Sequence, residues 1–397
     1  MGIINKAQKF SIYLFLFSLN FESIDLFNIG IDYLATKISI SVLLFFSLLN
    51  FEKSFTFKNF PTVLKIIVLY FLMLLGNNFI NQNLAYNTII NVSFFLNVFV
   101  FIVLCNYAAI DKNIILKGLL VFSLSSFCLT ILFLFGLGEI SYIEGRFSIF
   151  GMNENGLGLA LCISIFVLIA IVFDNKLFFN KGRYLLLVMI PFLFFFLLQT
   201  GSRGALISLT LGLGTYFILN NKLKHIYKFV LFLVILFSSL FIWEFFLRDS
   251  VITARLMESI NSRDVSSRDL VWKSIFKIIA DNPIVGIGET GYAQKMDNFS
   301  EYGVASPHNV FIEIFCYTGL VGLVIFLFFL KNIFVAARKA FVNKGEILSI
   351  VLLFPLANNL LSGQLLDVKV LWVLLAFIAS RNYTVKKRKY ACATIKE

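Results

Sequence analysis

Charged residues are scarce in this sequence. Only 14% of its 397 residues are Asp, Glu, Lys or Arg, whereas 59% are hydrophobic and phenylalanine alone occurs 49 times. A soluble domain carries roughly a quarter charged residues, which cover its wet surface. The shortage of charge therefore excludes a soluble domain and indicates that lipid surrounds most of the chain.

Residues for metal and redox chemistry are also few. The chain has two histidines, which argues against a histidine-based metal cluster. Its five cysteines show no Cys-x-x-Cys spacing, and four lie in apolar stretches, where a thiol behaves as a small hydrophobic group. A match to Gly-x-Gly-x-x-Gly at 286–291 has no strand–helix context. We therefore expect no disulfide, no metal site and no dinucleotide or other cofactor.

The sequence contains many long apolar runs. A membrane-spanning helix needs about 20 mostly apolar residues. Such runs predict an all-α polytopic membrane protein with about twelve transmembrane helices. The predicted spans are 10–28, 33–51, 62–80, 88–107, 114–135, 156–173, 184–199, 204–220, 228–247, 309–330, 346–361 and 368–380. A cleaved signal peptide is not expected, because no small-residue cleavage site follows Leu19.

Basic residues alternate between the predicted connections. The N-terminus carries Lys6 and Lys9, and every second connection after it carries further lysines or arginines. The short connections on the other side hold only Arg146, Arg203 and Lys369. Since positive charge marks the cytoplasmic side, the N-terminus is predicted to be cytoplasmic, and we call the opposite side periplasmic. The net charge of +12 is then a topology signal and calls for no nucleic-acid partner.

One connection is much longer than the others. We expect a transmembrane bundle of about nine helices at 1–247, a large periplasmic loop at 248–307, about three further transmembrane helices at 308–380 and a basic cytoplasmic tail at 381–397. The tail is interpreted as an anchor near anionic lipid. Within the loop, an amphipathic helix is predicted at 268–279, and Asn282 and Pro283 end it.

Three basic side chains, Arg268, Arg203 and His308, stand out on the periplasmic side. Arg268 falls at the centre of the apolar face of the predicted loop helix and in its first turn, where the helix macrodipole disfavours a cation. It fits either a bound anion or an arginine that snorkels at the interface. Arg203 fits the same two interpretations, and Arg146 fits them less well. His308 is either a proton acceptor or a structural residue. Together they suit a polyanionic lipid headgroup such as a pyrophosphate.

Several short motifs follow one another around the large loop. They lie at 145–158, 200–205, 267–272 and 282–291, and are completed by Pro307-His308-Asn309, Glu313 and 318–322. In this order they resemble the O-antigen polymerase and ligase superfamily, which contains Wzy-type polymerases of surface polysaccharide and ligases that join O-antigen to lipid A-core. The resemblance covers roughly residues 145–330. At 153–155 the chain has Asn-Glu-Asn where the family more often has Pro-Asn.

The resemblance implies a metal-independent glycosyltransferase with a GT-C-like helical fold in the bacterial inner membrane, its active site facing the periplasm. The donor would be a glycan on undecaprenyl pyrophosphate, which carries its own activation. The catalytic residues that it implies are His308, Arg203 and Arg268. The substrate-binding residues that it implies are Arg146, Asn155, Asn309 and Glu313.

Three functions stay open at this point. A polymerase of O-antigen or capsule is favoured, and a ligase would perform the same chemistry on a different acceptor. A non-enzymatic transporter of the same lipid should show ionisable residues at mid-membrane or broken helices in paired halves, and the sequence shows no such pairing. The expected partners are the lipid-linked oligosaccharide and membrane lipid, with a chain-length regulator and a flippase as suggested protein partners.

Overall fold

A computed structural model describes residues 2–23, 34–56, 62–80, 84–137, 140–143, 146–150, 152–174, 182–220, 268–299, 306–363 and 368–393. These residues form helices, with one short hairpin among them. The helices before the large loop are α1 (Gly2–Ser18), α2 (Leu34–Leu49), α3 (Phe51–Ser54), α4 (Thr62–Ile80), α5 (Leu84–Ile110), α6 (Ile114–Leu134), α7 (Glu154–Phe173), α8 (Met189–Gln199) and α9 (Arg203–Leu219). The later ones are α10 (Arg268–Asp281), α11 (Gly288–Phe299), α12 (Val310–Lys344), α13 (Leu348–Val351), α14 (Leu353–Ser362) and α15 (Lys369–Ala393).

The expected all-α polytopic membrane class is confirmed. Eleven of the twelve predicted spans coincide with helices, and the remaining one, 228–247, lies outside the described residues. Within the described ranges, six helices are long and apolar enough to cross a membrane, and three shorter apolar helices lie at 34–49, 203–219 and 348–362. A 3₁₀ segment, Gly182–Val188, precedes α8 and completes the span predicted at 184–199.

Three details differ from the prediction. The first helix begins at Gly2 instead of residue 10, because its polar Gln8 is fully buried and donates to Ser47 at 3.1 Å and Ser54 at 2.7 Å. The helix α12 runs on to Lys344, well past the predicted end at 330. A hairpin that was not predicted, β1 (Ile140–Ile143) with β2 (Arg146–Ile149), pairs Ile143 with Arg146 in antiparallel register.

The centre of the bundle is formed by α15 and α7. Residues 371–378 of α15 are all fully buried. The indole of Trp372 lies 5.5 Å from the ring of Phe94 and 6.0 Å from that of Phe101, both on α5. Such aromatic pairs add about 0.5–1.5 kcal/mol beyond the burial of their area. The last predicted span is therefore a core helix, although its sequence is short for a span.

Polar contacts join the connections at two opposite ends of the bundle. At one end, Lys9 pairs with Asp111 at 2.8 Å, and Arg381 donates to the backbone carbonyl of Lys112 and pairs with Glu346. At the other end, Lys369 pairs with Glu22. The charge alternation assigns the first group to the cytoplasmic side and the second to the periplasmic side, so the contacts agree with the predicted alternation of the chain. The Lys369 ion pair also explains one of the few basic residues that the sequence assigns to the periplasmic side.

The long helix α12 is broken at Gly319, whose φ and ψ are 61° and −165°. The backbone N–H groups of Leu320 and Val321 leave the helical pattern and donate to the carbonyls of Pro283 and Ile284, at 2.9 and 3.2 Å. In return, the N–H of Ile287 donates to the carbonyl of Cys316 at 3.0 Å. Non-helical backbone at membrane depth is tolerated only where protein satisfies it, and the segment 283–287 does so here.

Glycine makes this contact between two backbones possible. A Cβ on Gly319 would lie 2.3 Å from the backbone carbonyl of Ile284, and a Cβ on Gly286 would lie 2.5 Å from the backbone nitrogen of Gly319. Gly286 and Gly288 both have positive φ, of 75° and 70°. The Gly-x-Gly pattern at 286–288 is thus explained by close backbone approach, which glycine alone allows without a clash.

Gly319→Ala is expected to lower the thermal unfolding temperature of the detergent-purified protein much more than Gly345→Ala. Both residues have a positive φ, but open space surrounds the Cβ position at Gly345. A left-handed conformation alone costs a non-glycine residue about 1–2 kcal/mol. The control carries this cost without a clash, whereas Gly319 combines the clash with a ψ of −165° that is open essentially to glycine alone. Equal shifts for the two variants would contradict the close contact.

Candidate active site

Four helices begin at one end of the bundle, which we call the site end. They are α7, α9, α10 and α12. Contacts join α7 with α9 and α10 with the start of α12, and α14 connects α9 with α12. Ser202 donates from Oγ to Oδ1 of Asn155 at 3.3 Å, which connects α9 with α7. The indole N–H of Trp272 donates to the carbonyl of Pro307 at 2.9 Å, which connects α10 with the start of α12. A helix N-terminus carries a partial positive charge, so this end of the bundle favours an anion.

Arg203 is the first residue of α9 and is half-buried. The first turn of α9 contains no acidic residue, and Ser202 makes no side-chain cap at its start. A cation at the positive end of a helix is normally unfavourable. The guanidinium group and the helix terminus are two groups with which a bound anion could interact.

The start of α9 is wedged between two other helices. A Cβ on Gly158 of α7 would lie 2.8 Å from Cβ of Ser202, and a Cβ on Gly204 would lie 2.1 Å from Oδ1 of Asn358 on α14. The same end of α14 reaches α12, because Nδ2 of Asn309 donates to the carbonyl of Leu361 at 3.5 Å. Through α14, the structure thus brings Arg203 and the His308 region to the same end.

His308 is exposed at the entrance to α12 and has an unusual backbone conformation. Its φ is 49°, and its backbone N–H donates to Oγ of Ser306 at 3.2 Å. A positive φ is uncommon outside glycine, and residues held in such conformations cluster at functional sites. The geometry therefore supports the hypothesis of a functional histidine, and its catalytic role stays a prediction.

Asn309 and Asn155, both predicted to bind substrate, have structural contacts. Oδ1 of Asn309 accepts from the backbone N–H groups of Phe311 and Ile312, at 3.0 and 3.2 Å, and so caps α12. At α7 the cap is Asn153, whose Oδ1 accepts from Asn155 at 3.0 Å and from the following residue. Substrate binding by Asn155 and Asn309 stays a prediction, next to these observed roles.

The helix α10 confirms the amphipathic segment predicted in the large loop. It begins at Arg268 and ends at Asp281, directly before Asn282 and Pro283. Ile275, Ile278 and Ile279 are buried, as predicted, and the lysines of the opposite face are exposed. Phe276, predicted for the buried face, is 51% exposed. The side chains of Arg268 and Arg146 lie outside the described residues, so their directions stay predictions.

Glu313, the fourth predicted substrate-binding residue, is only 3% exposed in the first turn of α12. It lies near Tyr292 of α11, whose ring is 5.4 Å from that of Tyr317. Burial raises the pKa of Tyr292 above its usual value, and the nearby Cys316 and Glu313 add to this effect. Tyr292 therefore stays protonated at neutral pH, and Glu313 faces a buried cluster. Its role in substrate binding stays a prediction.

Sequence reasoning missed several residues that shape this end. Glu154 is a buried acid in the first turn of α7, where the helix macrodipole stabilises a carboxylate. Asn358 contacts Gly204, and the buried pair Asn77 and Asn78 holds the loop that fills the break in α12. Polar residues near the end of an apolar span are the signal that could have identified the asparagine pair.

Within the described residues, no group of three or more His, Cys, Asp and Glu could hold a metal ion.

Residues 186–327 match the Wzy_C family, which is described as O-antigen ligase. The resemblance to the O-antigen ligase and polymerase superfamily is confirmed. The matched segment contains Arg203, Arg268, His308, Asn309 and Glu313, and it excludes Arg146 and Asn155. No curated protein matches the chain. This partial match supports ligase- or polymerase-type chemistry on a lipid-linked oligosaccharide, and it does not distinguish the two activities.

Asn309→Ala is expected to destabilise the protein by about 0.5–2 kcal/mol, because the cap of α12 is lost. Asn309→Asp keeps an acceptor for the two backbone N–H groups and should retain the wild-type stability. Asn153→Ala and Asn153→Asp at the cap of α7 are the matched controls. The measurement is thermal unfolding in detergent, and a loss for Asn309→Asp equal to that of Asn309→Ala would contradict the cap. A stable Asn309→Asp variant that makes no product would show that activity needs the Nδ2 group, which donates to the carbonyl of Leu361 in this structure.

Proposed function

We propose that this protein is a polymerase of surface polysaccharide. It would transfer a glycan from undecaprenyl pyrophosphate to the terminal sugar of another lipid-linked repeat unit. The observation that carries the proposal is the convergence of the N-termini of α7, α9, α10 and α12, two of which begin with an arginine. Positive helix ends and arginines are the groups that stabilise a pyrophosphate dianion as it leaves.

The proposed reaction has one displacement. The bond between the anomeric carbon and the pyrophosphate oxygen breaks, and its electron pair stays on the pyrophosphate. The oxygen of the acceptor hydroxyl bonds to the anomeric carbon, and the imidazole of His308 accepts the proton. Arg203 and Arg268 stabilise the leaving group, each charge-assisted hydrogen bond contributing about 1.5–3 kcal/mol. A positioned general base typically contributes about 10²–10⁴-fold.

The proposed location is the bacterial inner membrane, with the site end in the periplasm. The support is the charge alternation, together with polar contacts that gather at two ends of the bundle. We retain the proposed division into 1–247, 248–307, 308–380 and 381–397, in which the described part of the large loop contains α10 and α11.

A periplasm-specific reporter should be active when fused after Asn298 and silent when fused after Lys389. The reverse pattern would contradict the orientation.

A ligase is the second candidate, because the matching family is described as O-antigen ligase. The chemistry would be the same, with lipid A-core as the acceptor. A transporter is disfavoured by the break in α12, since the segment 283–287 fills it and no second break pairs with it in the described helices.

The experiment that separates these functions uses purified protein in vesicles with lipid-linked repeat units. Longer lipid-linked chains from repeat units alone indicate a polymerase. A glycan that appears only on added lipid A-core indicates a ligase. If neither product forms although the protein is folded, the glycosyltransferase proposal is wrong.

Arg203→Ala and Arg268→Ala should each abolish polymer while the protein still inserts at normal levels. Arg203→Lys and Arg268→Lys should rescue poorly, because lysine lacks the planar fork that binds two phosphate oxygens at once. Arg338→Ala is a matched control, since Arg338 is exposed near the opposite end of α12. Full polymer formation by Arg268→Ala would reduce Arg268 to an interfacial anchor.

His308 should affect transfer and leave donor binding unchanged, because a general base acts on the acceptor. The variant His308→Asn is preferable to His308→Ala, since asparagine tolerates the positive φ of this residue. Both variants should slow chain extension strongly and keep the affinity for the lipid pyrophosphate. The two quantities are measured separately on purified protein. Extension at the wild-type rate would make the histidine structural and leave Glu289, Glu313 or solvent as the base.

A further inference from the structure

Asn77, near the end of α4, contacts both parts of the broken-helix joint. Its Nδ2 donates to the carbonyl of Tyr317, in the last turn before the break, at 3.1 Å. The same nitrogen donates to the carbonyl of Val285, in the loop, at 2.5 Å. An amide group has two N–H donors, and these two carbonyls use both of them. The side chain is only 4% exposed.

The neighbouring Asn78 holds the next turn of the loop. Its Oδ1 accepts from the backbone N–H of Glu289 at 2.9 Å, at the start of α11. A Cβ on Gly288 would lie only 2.6 Å from that oxygen. The end of α4 is therefore fitted against the loop by two consecutive asparagines, one as a donor and one as an acceptor.

The break in α12 exchanges helical partners for partners from elsewhere in the chain. In an unbroken helix, the N–H groups of Leu320 and Val321 would donate to the carbonyls of Cys316 and Tyr317. In this structure the carbonyl of Cys316 accepts from Ile287, and that of Tyr317 accepts from Asn77. Asn77 is thus the side chain that replaces a main-chain bond of α12.

We infer that Asn77 is a positioning residue for the transfer reaction. The segment before the break, 310–318, is headed by His308 and Asn309, and Asn77 fixes its far end through the carbonyl of Tyr317. Arg203 is held separately, between α7 and α14. Loss of Asn77 should therefore displace the histidine relative to the donor and leave the donor site intact. This inference rests on the proposed function.

The test compares Asn77→Ala and Asn77→Asp with the wild type. Aspartate has nearly the same shape, but it has no donor and places a carboxylate against two carbonyls. Both variants should lower kcat for chain extension by about 10- to 100-fold, since a displacement near 1 Å costs that much in a preorganised site. KM and affinity for the lipid-linked donor should change less than about twofold, because the donor interactions are retained.

Asn106→Ala is the matched control. Asn106 is also buried, and its Nδ2 donates to a backbone carbonyl, that of Ser54, at 2.8 Å. This contact lies between α5 and α3, away from the site end. Asn106→Ala should lower the stability to a similar degree and leave kcat per folded molecule unchanged. A purely structural role predicts the same behaviour for Asn77→Ala, so an unchanged kcat in both Asn77 variants would overturn the inference.

Hydrogen exchange gives a readout that does not need activity. In Asn77→Ala, exchange should increase in 283–289 and 310–321, and in Asn106→Ala it should not increase there. Unchanged exchange in these segments of Asn77→Ala would also overturn the inference. If the wild type makes no product, the proposed function fails while the exchange result still tests the contact itself.

Discussion

The contact of the loop at 283–287 with the break in α12 is the constraint on which the site end depends. Two backbones approach so closely that Gly286 and Gly319 leave no room for a Cβ. The unpaired groups of a broken helix would be costly in a membrane, and here the loop satisfies them. This contact fixes the far end of the segment 310–318, whose other end is preceded by the exposed His308.

Electrostatics gives this end its chemical character. The N-termini of α7, α9, α10 and α12 gather there, and Arg203 adds a full charge to one of them. Glycines and asparagines lie where these helices contact one another closely, as at Gly158 and Asn358. Two of these helices, α7 and α12, also carry a buried acid in the first turn, Glu154 and Glu313. Arg203 and the helix N-termini suit a lipid with an anionic headgroup, and the match to the Wzy_C family supports a lipid-linked oligosaccharide as substrate.

The transmembrane spans could be predicted from the sequence, because apolar length and charge alternation are local properties of the chain. The order of the motifs is also a property of the sequence itself. The amphipathic helix α10 was predicted for the same reason at 268–279, and the structure has it at Arg268–Asp281. The break at Gly319 and the contacts of Asn77 could not be predicted, since both depend on contacts between separate segments of the chain. Leu320 lies 37 residues from Pro283, and Asn77 lies 208 residues from Val285. Asn309 shows a further difficulty: its position in the motif suggests binding, whereas its side chain caps a helix.

The account depends most on the claim that the site end binds a pyrophosphate lipid through Arg203 and the helix termini. The most direct measurement is the binding of undecaprenyl pyrophosphate, undecaprenyl monophosphate and uncharged undecaprenol to the purified protein. The account predicts that affinity falls in that order, and that Arg203→Ala loses most of the preference for pyrophosphate. Equal binding of the three lipids, or an unchanged preference in Arg203→Ala, would contradict it.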